Sequence, residues 1–201
     1  MKKSVFDPEL QQLDLSSKMV SGLERVSQAF KVLLWDKAKG LGLSPIQIQL
    51  LIFCAHHKSD LRNVSTLARE FNVTKPTISD AVKALYAKKL IQKEYSDTDN
   101  RSYTIVLSEA GKVIVRNTEN FADPILESLL NISENEKTTF FQVLSRLLFQ
   151  LSRKGVLSVQ RTCYSCRFYQ KGEEGHYCNL LQKALTTNEI RIDCEDYNPN
   201  M

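Results

Sequence analysis

No apolar run in these 201 residues reaches the roughly 18 residues of a membrane span, so no spanning helix is expected. Nor does the start, MKKSVFDPEL, carry an apolar stretch and cleavage site behind its lysines, as a secretory signal would. Charge of one sign is scarce too. The 27 basic and 23 acidic residues leave +4, which permits contact with nucleic acid without arguing for it. No acyl-transfer or phosphate-binding motif accompanies Cys54, His56 or His57, so the chain reads as a non-enzyme with Cys54 as a core thiol. Hydrophobic content of 42% with 25% charged residues describes a soluble globular protein, expected in a reducing cytoplasm. The length suits one ordinary domain, residues 1–155, with a small appendage, residues 156–201.

From Lys18 to Lys39, Val20, Leu23, Val26, Phe30, Leu33 and Leu34 recur at helical spacing, and Gly40 and Gly42 end the helix. Ser44 and Pro45 start a largely apolar helix, IQIQLLIFCA. Next, Ser65 is the expected cap of a short helix to Phe71, Asn72 and Val73 turn the chain, and Thr74 caps a second helix with Pro76 near its start. Two short helices and a tight turn make a helix-turn-helix. LIQKEY and SYTIVL then read as strands of a hairpin whose polar tip is SDTDNR, completing a winged helix over about residues 44–111. Ser108 starts a further helix that Pro124 bends or breaks, and Ser133 with Glu136 forms a capping box for the last long one.

Ser65 to Gly111, with Asp99-Asn100-Arg101 in the wing and the following LSEAG, resembles the winged-helix domain of MarR-type transcription factors. The resemblance extends over about residues 17–155. It implies a mainly α fold with a small β-wing, and terminal helices at about 17–39 and 109–153 that interlock two chains into a homodimer. It also implies double-stranded DNA as partner, repression as the usual mode, and a small-molecule effector received between the dimer helices and the winged helix. One departure is Lys89, which stands where the family has Gly before Leu90; a left-handed backbone there strains a lysine by about 1 kcal/mol.

On the second helix, Ile78, Val82 and Leu85 share an inward face. Recognition helices read base edges with their N-terminal residues, which makes Thr77, Ser79 and Asp80 the candidate readers, while Thr74, Lys75 and Lys83 are placed for phosphate. Arg101 resembles the family arginine that enters the minor groove, and Asp99 would orient it.

The last 46 residues, 156–201, are too few to bury a large core unaided. Two residues separate Cys163 from Cys166, eleven separate Cys166 from Cys178, and fifteen separate Cys178 from Cys194. Four thiolates so spaced suit a closed structural zinc site, giving a small metal-stapled knot, and an iron–sulfur cluster would take the same four. His176 is either an alternative ligand or a neighbour of the ligands. The side-chain charge from Arg161 onward, 5 − 6 = −1, argues against a DNA-gripping finger. Docking on the chain's own dimer, or response to an oxidant, is the expected role.

Overall fold

Caps set most of the helix boundaries. In the computed structural model, which describes residues 4–96, 99–172 and 175–200, α1 (Pro8–Leu13) precedes the long α2 (Leu15–Leu41). The side chains of residues 96 and 99–102 also lie outside the description. Asp14 caps α2 by accepting from the Ser17 N–H at 2.7 Å, so that helix starts three residues before the expected Lys18. Gly42, at φ 59°, closes it. After α3 (Pro45–His56), the helix-turn-helix consists of α4 (Val64–Glu70) and α5 (Lys75–Ala87). The cap of α4 is Asn63, not Ser65: the Asn63 side chain accepts from the Thr66 N–H at 2.9 Å and donates to the Asp60 carbonyl. Ser65 is left exposed in the first turn.

The hairpin pairs β1 (Ile91–Ser96) with β2 (Asp99–Leu107) antiparallel, from Ile91 opposite Leu107 to Tyr95 opposite Tyr103. Helices α6 (Glu109–Thr118) and α7 (Asp123–Leu130) follow, separated by a 3-10 turn at 119–122. Pro124 does not bend a continuous helix; it stands in the first turn of α7, where its missing N–H costs nothing. The capping box at Ser133 and Glu136 opens α8 (Glu134–Arg153).

One core joins these elements. Leu34 and Ala38 of α2, Ile48 and Leu51 of α3, Leu67 of α4, the stripe Ile78, Val82 and Leu85 of α5, and Ile91 and Ile105 of the hairpin are all buried together. Each fully buried aliphatic contributes about 1.5–3 kcal/mol, which anchors α5 by one face. Large apolar residues stay exposed elsewhere: Leu23 and Phe30 on α2, Leu126 and Leu130 on α7, Phe140 and Val143 on α8. No single helix among the described residues is long and apolar enough to cross a membrane.

The tail folds into a three-stranded antiparallel sheet, β3 (Tyr169–Gly172), β4 (Gly175–Cys178) and β5 (Lys183–Leu185), with β4 central. Irregular segments on either side are joined by bonds from the Cys163 N–H to the Arg191 carbonyl and from the Cys194 N–H to the Arg161 carbonyl.

Two backbone positions where β1 begins and α6 starts depend on residue type. Lys89 adopts φ 57°, so the chain turns left-handed there without the glycine that would do so freely. Gly111 lies under the Leu90 carbonyl, 2.0 Å from where a Cβ would be. Substitutions at the two sites therefore have opposite signs: Gly111→Ala lowers stability by about 3 kcal/mol, and Lys89→Gly raises it by about 0.5 kcal/mol. Urea midpoints at fixed protein concentration measure both, and a neutral Gly111→Ala would contradict the close approach.

Candidate functional site

Burial of Ile78, Val82 and Leu85 turns the opposite side of α5 outward, where Thr74, Lys75, Thr77, Ser79, Asp80 and Lys83 are all exposed. Thr74 serves as N-cap: its hydroxyl accepts from the Thr77 N–H at 3.3 Å and lies 2.8 Å from the Thr77 hydroxyl. The first turn of α5 is thus held while Ser79, Asp80 and Lys83 face solvent. Ser65 and Arg69 of α4 share a shallow depression with Thr74 and Lys75, adding a basic residue that the sequence reading missed. Arg69 carried no signal of its own, because only the α4–α5 packing brings it beside Lys75. Lys93, by contrast, lies over the rings of Tyr103 at 4.5 Å and Tyr86 at 5.3 Å. The side chains of Asp99 and Arg101 lie outside the described residues.

Folding of the tail brings Cys163, Cys166, Cys178 and Cys194 to the wall of one cavity of about 30 Å³. All four are free thiols. The Arg191 N–H donates to the Cys163 sulfur at 3.2 Å, and the Arg191 guanidinium donates to the Cys194 sulfur at 3.5 Å. Burial raises the Cys163 pKa, and repulsion from Cys194, Cys178 and Cys166 adds to it, outweighing the Arg191 hydrogen bond. Among the described residues no three His, Cys, Asp or Glu side chains stand in a ready coordination arrangement. His176 does not line the cavity; its Nδ1 lies 2.6 Å from the Tyr169 hydroxyl, within a ring cluster that includes Tyr164.

Arg161 does not serve the thiols. It is 8% exposed and forks to two carboxylates, Glu70 at 2.7 and 3.1 Å and Asp193 at 2.5 and 3.2 Å. Burial alone would lower its pKa, but the bonds to Asp193 and Glu70 outweigh burial and raise it. Burial likewise favours a neutral Asp193, yet Arg161 and His57 hold its pKa below the usual carboxylate value. His57 stacks on Phe53 with centroids 3.7 Å apart and meets Asp193 at 2.8 Å, so it is turned toward the tail. Cys54 is 2% exposed, with a pKa pushed up to about 12 by burial against a small opposing effect of Arg62.

Helix, turn, recognition helix and hairpin define a winged helix-turn-helix protein. Residues 41–102 match the model of the MarR family. The transcriptional regulator PA3341 is 27% identical with a TM-score of 0.58, over 67% of this chain and 98% of that one. A probable transcriptional regulator from Pseudomonas aeruginosa is 25% identical, with a TM-score of 0.50 over 67% of this chain and 99% of its own. MepR of S. aureus, in a complex with DNA, is 23% identical, with a TM-score of 0.58 over 66% of this chain and 97% of its own; that likeness is one of fold alone. Curated protein sequences show no match to the chain.

The environments of the five cysteines predict their reactivity. With chelator present at pH 8, a thiol reagent should modify the partly exposed Cys163, Cys178 and Cys194 before the buried Cys166, and Cys54 only after denaturation. Rapid native modification of Cys54 would contradict its burial.

Proposed function

We propose that the chain is a homodimeric transcriptional regulator, acting as a repressor, that reads double-stranded DNA with α5 and the wing, and whose tail thiolates hold a zinc ion. The observation that carries the DNA reading is the two-sided α5: one face is locked in the core, and the other presents Ser79, Asp80 and Lys83 to solvent. Ser79, Asp80 and Thr77 read base edges, Asp80 by accepting from a cytosine amino group, while Thr74, Lys75, Lys83 and Arg69 contact phosphate. Arg101 enters the minor groove, oriented by Asp99. The exposed apolar residues of α2, α7 and α8 supply a dimer interface. Two symmetric reading helices then call for inverted half-sites about 10 bp apart. MepR, the DNA-bound protein of the same fold, supports this reading.

Four thiols around one small cavity, with N–H donors on two of the sulfurs, have the chemistry of a closed tetrathiolate site. An iron–sulfur cluster is the alternative occupant of the same four thiolates. Bound zinc would hold the two cysteine segments together and, with no open position, would have no hydrolytic role.

Two experiments test the proposal. Anaerobically purified protein should be colourless, contain one zinc per chain and lose it in a Cys163→Ser, Cys166→Ser variant; iron with sulfide and visible absorbance would establish the alternative. In fluorescence-anisotropy titrations, Arg101→Ala should weaken binding to most duplexes. Asp80→Ala should change preference at particular base pairs, by about 1–3 kcal/mol. Equal losses on specific and random DNA for Asp80→Ala would reject its reading role.

A further inference from the structure

We infer that Arg161 is a positioning residue for DNA binding: it clamps the thiol-bearing tail to the helix-turn-helix, so that zinc occupancy of the tail sets the order of the DNA-reading unit. The inference rests on the zinc reading above.

Arg161 sits at the junction of the two units. One side of its fork grips Glu70, the last residue of α4, and the other grips Asp193, immediately before Cys194. The segments that carry Arg161 and Asp193 also carry two of the thiols. Cys163 lies two residues beyond Arg161 and is bonded to the Arg191 carbonyl at 3.0 Å; Cys194 is bonded to the Arg161 carbonyl at 2.9 Å. Whatever draws Cys163 and Cys194 to a common ion therefore also holds Arg161 in register with Asp193.

A second link reaches the turn. Asn72, at φ 52° between α4 and α5, receives the Ser158 hydroxyl at 2.7 Å and donates to the Val156 carbonyl at 3.4 Å. The tail thus touches the last residue of α4 through Glu70 and the turn itself through Asn72. Separation of the cysteine segments would pull Arg161 from one carboxylate or both, and a partly buried ion pair resists such uncoupling because it strands the remaining charge. Zinc-loaded protein therefore holds the turn in place before DNA arrives, whereas stripped protein must order it on binding, which weakens affinity.

The test uses full-length protein and an inverted-repeat duplex selected from random DNA by the zinc-loaded wild type. Metal content is measured first, then Kd with zinc and after chelation. Stripping should weaken wild-type binding about tenfold, within the range of coupled sites. Glu70→Gln, which lies outside the tail, should keep one zinc per chain but bind DNA alike with and without it, and Arg161→Met should behave the same way.

Wild type that binds zinc yet has the same or higher affinity after chelation would overturn the coupling while leaving the zinc site intact. Full zinc dependence retained in Glu70→Gln would remove Arg161 from the path. Loss of zinc from both variants would make Arg161 a structural residue of the tail and overturn its positioning role. Absence of zinc from the wild type, or of DNA binding by the loaded form, would instead refute the underlying reading together with the coupling.

Discussion

A buried guanidinium between two carboxylates is the constraint on which the arrangement of the two units depends. Arg161 would be costly to bury alone, and a single carboxylate would leave part of its donor fork unpaired. Glu70 and Asp193 together accept from Nε and both terminal nitrogens, and the Phe53 ring lies 5.6 Å from the guanidinium carbon. The planar fork matters, because a lysine has no geometry for two bidentate partners at once. His57 extends the network from the end of α3, bonding Asp193 while stacked on Phe53. Ion pairs and hydrogen bonds thus seat the tail on the winged helix.

The winged helix was legible because each of its signals is local. The stripe of Ile78, Val82 and Leu85, the caps at Thr74 and Ser108, and the β-branched run SYTIVL each fall within a few residues. Lys89, standing where the family has Gly, does take the left-handed conformation, at φ 57°. Asn63 was missed as a cap because Ser65, two residues on, is an equally good capping residue by type. Helix α1 was missed because its six residues bury no side chain and so leave no apolar period to read.

Spacing suggested that the cysteines belong together, and the fold gathers all four around one cavity. The partners of the nearby cations were not legible. Of Arg161 and Arg191, only Arg191 approaches the sulfurs, while Arg161 reaches a glutamate 91 residues earlier in the chain. No periodicity encodes a contact of that range, which exists only because the linker from Val156 runs along the helix-turn-helix.

Together these features describe a helix-turn-helix whose first helix and turn are steadied by the cysteine-bearing tail. Amide hydrogen exchange across residues 64–74, compared between zinc-loaded and chelated protein without DNA, tests that claim most directly. The account predicts that protection around Glu70 and Asn72 falls when zinc is removed, while the core amides of α3 keep theirs. Unchanged exchange at residues 64–74, in protein shown to have bound and lost zinc, would contradict it.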